Sequence, residues 1–295
     1  MVVTTWSEKS RENKTRLLIS EEIPCKALYN TELLENQKIF IFLFAIWWNL
    51  PHYLSHSARA VAIYPLNGGV KGRDISLSRN PTAILSNVRP AQGPDGTRDG
   101  SYKFFGKSNS FIQFPNRGKL DTRRSITLMA WIYHQGGAGP IFNYMPNGWG
   151  VHFWMILPQT LFARFTHRST RRFTKAVISR RVLAKRWQLV AATYDGRSGR
   201  AKLFVQNRFV TQKYIGRIRL ATNYPVRMGA RLGDSRYFHG RISCMQVYPM
   251  ALTRRQILAR KTRCFRKGKT NDQPCYRVVR WLRPWARNFM TLFHR

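Results

Sequence analysis

The chain has 295 residues, with 51 Lys and Arg against 13 Asp and Glu, and its formal net charge is +38. Residues 1–60 are nearly neutral, with seven basic and six acidic side chains, whereas residues 61–295 hold 44 basic side chains and only seven aspartates. Such an excess favours attraction to polyanions. Because no Glu follows Glu35, the composition argues against chemistry that needs paired carboxyl groups.

The first element in chain order is an apolar run of ten residues, Ile39–Trp48. It is too short to span a bilayer, which takes about 20 residues, but it has the length of a signal-peptide core. The small residues of Ser57-Ala58-Arg59-Ala60 follow, and they suit a signal peptidase. We predict cleavage after Ala60 and secretion, or a membrane anchor if the signal is not cleaved. A buried strand or short helix is the alternative for so short a run.

From residue 61 the sequence alternates short apolar segments with turn signals, at a spacing typical of a sandwich or barrel. The predicted strands are Val61–Tyr64, Ser101–Phe105, Phe111–Phe114, Ser125–Tyr133, Ile141–Tyr144, Val151–Ile156, Leu161–Phe165, Trp187–Tyr194, Ala201–Val205, Phe209–Ile215, Val226–Met228 and Arg241–Val247. In Ser125–Tyr133, four apolar residues alternate and share one face. Long helices do not alternate with these strands, which opposes a parallel α/β sheet.

Two helical patterns follow the strands. Thr253–Thr262 is predicted as a helix capped by Thr253. Arg277–Phe293 has apolar residues at helical spacing with arginines between them, as in a segment that lies on a membrane or a polyanion. Pro284 interrupts that pattern, which favours a terminal helix packed on the domain or an unstructured end.

Several stretches together resemble the laminin-G-like, concanavalin-A-like jelly-roll domains of extracellular animal proteins. They are Ala62–Gly68, Ser101–Gly106, Phe111–Phe114, Ser125–Thr127, Ala130–Tyr133, Trp187, Tyr194-Asp195, Gly199, Leu203–Val205, Asn207 and Tyr237–Ile242 with Cys244. The resemblance implies an all-β fold, a two-sheet antiparallel jelly-roll sandwich with one short C-terminal helix, and a disulfide that joins Cys244 to Cys264. Two free buried thiols are the alternative to that disulfide. The predicted organisation is a lead with a signal at residues 1–60, the domain at 61–264 and a basic aromatic tail at 265–295.

Many relatives of this kind bind calcium, and others are glycoside hydrolases. Calcium takes six to eight oxygen ligands, whereas the aspartates of this chain are scattered among Arg and Lys, so we predict no metal and no other cofactor. Asp234 is the best single ligand, but Arg231 and Arg236 favour a turn residue paired with an arginine. Without Glu in the domain, we expect no enzymatic activity.

The basic residues form clusters that suit sulfate and carboxylate groups, because an arginine fork donates two hydrogen bonds to such anions. Arg217 and Arg219 share one face of a predicted strand at Gly216–Leu220, and Arg227 and Arg231 share parity on the next segment, so we expect one flat basic patch. A second cluster, on a predicted loop, comprises Arg164, His167, Arg168, Arg171 and Arg172. A third comprises Arg180, Arg181, Lys185 and Arg186. Charged residues at alternate positions are usually just the solvated face of a strand, but the scarcity of acids favours polyanion binding.

These observations lead to one hypothesis with two alternatives. We expect a secreted, non-enzymatic adhesion module that binds sulfated or carboxylated glycans, with matrix or cell-surface proteins as further partners. A basic nucleic-acid-binding protein has a similar charge, but the signal-like segment and the absence of a nucleic-acid-binding motif disfavour it. A secreted defence lectin that binds anionic microbial surfaces has the same sequence features as the adhesion module.

Overall fold

The computed structural model describes residues 59–265, apart from Pro158 and Asn207. The predicted signal core and the tail at Arg277–Phe293 lie outside these residues. Within the described range, no helix has the length and apolar character needed to cross a membrane.

The described elements are fifteen strands and one helix. The strands are β1 (Ala62–Tyr64), β2 (Ile84–Ser86), β3 (Val88–Ala91), β4 (Ser101–Phe105), β5 (Phe111–Phe114), β6 (Ile126–Gly136), β7 (Gly139–Tyr144), β8 (His152–Leu157), β9 (Thr160–Arg164), β10 (Val177–Ser179), β11 (Trp187–Asp195), β12 (Arg200–Val205), β13 (Arg208–Tyr214), β14 (Val226–Met228) and β15 (His239–Tyr248). The helix, α1, spans Arg254–Arg260. Each predicted strand of the series has a counterpart here, with ends that differ by up to three residues.

Two antiparallel sheets form the sandwich. The eight-stranded sheet has the order β13-β12-β11-β6-β15-β4-β3, with β1 also paired to β15. The seven-stranded sheet has the order β10-β9-β8-β7-β14-β5-β2. Neighbouring strands are often far apart in sequence, as β6 and β15 are. This architecture confirms the predicted jelly-roll sandwich.

The central strand β6 is buried on both faces. Ile126, Leu128 and Ile132 point into the core between the sheets, as their alternation predicts. Met129 points outward, where Leu252 and Ile257 of the α1 region cover it. Helix α1 therefore gives the eight-stranded sheet a second, smaller apolar layer on its outer face.

Two local features fix α1 in place. Thr253 caps it, because its hydroxyl accepts a hydrogen bond from the backbone N–H of Gln256 at 3.3 Å while the Gln256 side chain accepts one from the Thr253 N–H at 2.9 Å. Cys244 on β15 forms a disulfide with Cys264, just beyond the helix. Both the cap and the disulfide are as predicted.

Three strands are absent from the sequence prediction. They are β2, β3 and β10, each of three or four residues, and β2, β3 and β10 all lie at an edge of their sheet. Edge strands this short carry little alternation, so the periodicity that identifies β6 is missing from them.

Candidate functional site

An open groove of about 1040 Å³ lies on the outer face of the eight-stranded sheet, between β11–β12 and the segment 249–254 that leads into α1. Phe209, Ile218 and Met250 contribute apolar surface to it. Seven cationic side chains line the groove: Arg124, Arg197, Arg200, Lys202, Arg217, Arg219 and Arg254. Asp195 is the one carboxylate in this lining. The groove thus combines concavity, apolar surface and concentrated positive charge.

Two glycines allow the three cation-bearing segments around the groove to meet. A Cβ on Gly196, in the β11–β12 turn, would clash with the carbonyl oxygen of Arg124. Gly199 has a positive φ of 67°, and a Cβ there would lie 2.9 Å from the carbonyl carbon of Gly216. The backbone of this turn therefore packs directly against the segments that carry Arg124 and Arg217.

The loop that carries Arg217 and Arg219 is held by a buried tyrosine. The Tyr194 hydroxyl donates to the Gly216 carbonyl at 3.0 Å and accepts from the Ile218 N–H at 2.7 Å. Ile218 packs against the core, whereas Arg217 and Arg219 on either side of it are exposed. The side chains of residues 217–219 therefore alternate in direction, and both arginines point to solvent.

The prediction of a strand at Gly216–Leu220 is wrong. Among the described residues, this segment forms only an isolated bridge between Leu220 and His167. Its backbone groups bond instead to the Tyr194 hydroxyl and to the carbonyl of Arg123, which accepts from the Leu220 N–H at 2.7 Å. Hydrogen bonds to a side-chain hydroxyl and to a turn carbonyl therefore replace the strand-to-strand hydrogen bonds that the alternating sequence predicts.

Six of the seven groove cations, all except Arg254, form no ion pair with a described residue. All ion pairs between described residues involve Asp121 or Asp234, neither of which lines the groove. Asp195 accepts hydrogen bonds from the Ser198 hydroxyl at 2.7 Å and the Arg197 N–H at 3.0 Å. Partial burial raises the pKa of Asp195, but these hydrogen bonds outweigh that effect and hold it below its usual value. The single carboxylate is therefore ionised and already engaged in its turn.

A second basic surface lies on the outer side of the seven-stranded sheet. Five residues form one row across neighbouring strands of this sheet: Gln113, Arg227, Asn143, His152 and Arg164. Four arginines stack on aromatic rings here, with guanidinium carbons at 3.8 Å (Arg227 on Phe111), 4.0 Å (Arg231 on Trp149), 4.8 Å (Arg236 on Trp154) and 4.8 Å (Arg164 on Phe162) from the ring centres. We call this surface the arginine–aromatic face.

Most of the arginines on the arginine–aromatic face serve its packing. Arg227 is only 7% exposed, and its Nε donates to the Gln113 side chain at 3.1 Å. Arg231 and Arg236 both pair with Asp234, at 3.2 and 2.8 Å, which confirms that Asp234 is a turn residue bound to arginine. The hydrogen bond from Arg236 is the main reason that the pKa of Asp234 falls to about 2.

The expectation of one flat patch of four arginines is wrong. Arg217 and Arg219 line the groove on the eight-stranded sheet, whereas Arg227 and Arg231 belong to the arginine–aromatic face on the other sheet. The chain changes sheets between β13 and β14, so equal parity on the two segments does not place their side chains on one surface.

The second predicted cluster does follow a loop, apart from Arg164 at the end of β9, but its members diverge. Arg168 pairs with Asp121 at 2.8 Å, and its backbone N–H donates to the Arg219 carbonyl at 2.8 Å. Arg171 stacks on the Tyr224 ring at 4.6 Å, and Arg172 is exposed. The backbone contact of Arg168 links this cluster to the groove.

The sequence also leaves several groove residues unassigned: Arg124, Arg197, Arg200, Lys202 and Arg254. The alternation of Arg200, Lys202 and Phe204 along β12 places them on one face. This face forms part of the groove only because residues near positions 124 and 217, which are distant from β12 in the sequence, pack beside it.

The carboxylates of the described residues have structural partners in most cases. Asp74, for example, accepts hydrogen bonds from Ile63, Ser76 and Asn80 at 2.6–2.9 Å. Over the part of the chain that the structure describes, no three His, Cys, Asp or Glu side chains lie close enough to hold a metal ion.

Residues 105–258, just over half of the chain, match the family model of the concanavalin A-like lectin/glucanases superfamily. The chain belongs to this superfamily. No curated protein sequence matches it significantly. The restriction to extracellular animal proteins stays a prediction.

Several solved binding domains of toxins share this fold. The binding domain of Paraclostridial Mosquitocidal Protein 1 has a TM-score of 0.55 at 15% identity, over 68% of this chain and 51% of that one. The binding domain of botulinum neurotoxin serotype G has a TM-score of 0.55 at 14% identity, over 68% and 50%. The serotype D ligand binding domain in complex with N-acetylneuraminic acid has a TM-score of 0.53 at 13% identity, over 68% and 49%. This superfamily member spans about half the length of these domains, and the likeness establishes the fold.

Proposed function

We propose that the protein is a non-catalytic module that binds sulfated or carboxylated glycans in the groove, with Arg217 and Arg219 as the central contacts. The observation that carries this proposal is the groove lining. Six of its cations, all except Arg254, form no ion pair with any described residue, and they surround apolar surface in an open cavity. Superfamily membership supports a lectin-like role.

The chemistry of the groove suits an acidic sugar. Arginine forks donate paired hydrogen bonds to sulfate or carboxylate, and such charge-assisted bonds are each worth about 1.5–3 kcal/mol. The apolar face of a sugar ring can lie against Phe209, which is 49% exposed, since ligand sites commonly combine apolar surface with a few polar contacts. The proposal includes both carboxylated and sulfated sugars, because an arginine guanidinium can donate paired hydrogen bonds to either group.

Nucleic acid is the main competing ligand. The disulfide Cys244–Cys264 favours an oxidising compartment outside the cytosol, where the abundant polyanions are glycans. Retention of double-stranded DNA more tightly than sulfated glycan at equal ionic strength would reverse this preference.

The absence of catalysis is part of the proposal. Glycoside hydrolysis needs two carboxyl groups facing one bond, whereas Asp195 is the sole carboxylate among the groove residues and is engaged by Ser198 and Arg197. Incubation with a bound polysaccharide should release no new reducing ends. Their release would establish an enzyme instead.

We also propose that the protein is secreted. The disulfide and the signal-like segment before Ala60 support this proposal. Expression in a secreting host should yield an extracellular product that begins at Val61. An intact N-terminus on cytosolic protein would contradict secretion, and it would leave the binding proposal to be judged on affinity alone.

The binding proposal is tested by a matched pair of variants. Replacing Arg217 and Arg219 with Ser should weaken binding to heparin about 100-fold, because at least two charge-assisted hydrogen bonds are lost. The control replaces the exposed Arg180 and Arg181 with Ser, which removes the same charge outside the groove. Isothermal titration calorimetry at fixed salt compares the two. Equal losses of affinity would contradict a defined site.

A further inference from the structure

A row of cations and aromatic side chains, separate from the groove, crosses the outer face of the eight-stranded sheet. Strand register places Arg89 opposite Lys103, Lys103 opposite Arg241, Arg241 opposite Tyr133, and Tyr133 opposite Trp187. These residues lie on β3, β4, β15, β6 and β11, five neighbouring strands of the eight-stranded sheet. We call the row the cationic ladder.

The three cations of the ladder, Arg89, Lys103 and Arg241, occupy neighbouring positions on adjacent strands. Adjacent strands lie about 4.8 Å apart, and like charges directly opposite one another destabilise a sheet. Lys103 and Arg241 point away from the core, since their chain neighbours Phe104 and Ile242 are core residues. None of the three cations forms an ion pair with a described residue. Their arrangement therefore costs stability in the absence of an anion.

Aromatic rings hold the ladder cations in defined positions. The Arg241 guanidinium lies 3.9 Å from the centre of the Tyr133 ring, and its Nη1 donates to the Gln92 carbonyl at 3.2 Å. The Lys103 ammonium lies 5.3 Å from the centre of the Phe105 ring. Such contacts restrict the side chains, so less conformational entropy is lost when an anion binds.

The ladder and the groove lie on one face because β11 contributes to both. Thr193 lines the groove and Trp187 ends the ladder. Their separation of six residues is even, so both side chains point to the same side, and it corresponds to about 20 Å along the strand. Between them, Leu189 packs in the apolar layer beneath α1, and the exposed Arg255 adds positive charge on the helix.

We propose that one sulfated polysaccharide chain binds the groove and the cationic ladder together. The ladder cations Arg241 and Lys103 lie two and three strands to the side of β11, so the direct span from Thr193 to them is about 22–25 Å. The module then selects polysaccharides longer than about 25 Å over short oligosaccharides, because the second contact forms within the same complex. This inference rests on the proposed function of the groove.

The test measures the affinity of the full-length protein for size-fractionated heparin oligosaccharides at one ionic strength. Affinity should rise at least tenfold in a step once the extended oligosaccharide exceeds about 25 Å, as expected for a two-point contact. Replacing Arg89 and Lys103 with Ser should remove the step while the affinity for the shortest fragments stays within about twofold. The Arg180→Ser, Arg181→Ser variant should retain the step.

Two results would overturn the ladder alone: a gradual rise of affinity with length, or a step that persists in the Arg89→Ser, Lys103→Ser variant. In either case, loss of short-fragment binding on replacing Arg217 and Arg219 would still support the groove. Failure of short fragments to bind, or binding unaffected by the Arg217 and Arg219 substitutions, would overturn the proposed function as well. Single-stranded DNA of equal length that binds more tightly than heparin, with the same step, would overturn the glycan assignment.

Discussion

At the scale of single residues, His152 illustrates how the arginine–aromatic face alters a neighbouring group. Its ring stacks on Phe162, and its Nδ1–H donates to the Gly150 carbonyl at 2.9 Å. Burial lowers the pKa of His152 to about 4; the Gly150 hydrogen bond opposes this shift, and the positive charges of Arg164, Arg231 and Arg236 add to it. The imidazole is therefore neutral at pH 7.

This shift predicts a loss of stability in mild acid. Between pH 6.5 and 4 the unfolded chain binds a proton at His152 that the folded chain does not, so the free energy of unfolding falls as pH falls, by up to about 3 kcal/mol. Burial also lowers the pKa of His134, which adds to the slope. Urea denaturation at pH 7 and pH 4.5 should show a smaller difference in His152→Gln than in the unaltered protein. Identical differences would contradict a buried neutral His152.

At the scale of elements, the segment 249–254 that leads into α1 forms one wall of the groove, and the disulfide anchors that helix. The segment 249–254 joins β15 to α1, and Cys244–Cys264 ties the far end of the helix back to β15. Closing a loop of 20 residues is worth about 3 kcal/mol in the chain-entropy model.

Replacing Cys244 and Cys264 with Ser should therefore lower the free energy of unfolding by about 3 kcal/mol, as measured by denaturant titration. It should also weaken heparin binding, because the groove wall is less firmly held. Reduction of the unaltered protein should reproduce both effects, while reductant should leave the double variant unchanged. Full stability and affinity in the double variant would show that the wall does not depend on the disulfide.

The same elements show what the sequence can and cannot predict. The alternation in β6 and the cap at Thr253 identify their elements because the signal is local. The disulfide was predicted from resemblance to the family, and the structure confirms it. The groove has no local signal, since it depends on backbone contacts of Gly196 and Gly199 with segments up to about 70 residues away in sequence. The prediction that Arg227 shares a patch with Arg217 is wrong for the same reason. The alternation of side chains along the chain does not indicate which sheet a strand joins.

At the scale of the whole molecule, the described range holds 37 Lys and Arg against six Asp. Asp121 and Asp234 are taken up in ion pairs and Asp74 in backbone and side-chain hydrogen bonds, so the surface retains almost all the positive charge. The charge is also organised, since the groove and the cationic ladder occupy one face of the eight-stranded sheet. A diffuse surface charge would attract any polyanion equally, whereas an organised one should discriminate by geometry.

That difference is measured most directly by elution of the full-length protein from heparin and from a sulfonate cation exchanger over one salt gradient. Both supports carry sulfur-based anions, so charge alone gives similar retention on each. An organised groove predicts that heparin retains the protein to clearly higher salt than the sulfonate support does. Elution from both supports at the same salt concentration would contradict a defined glycan site.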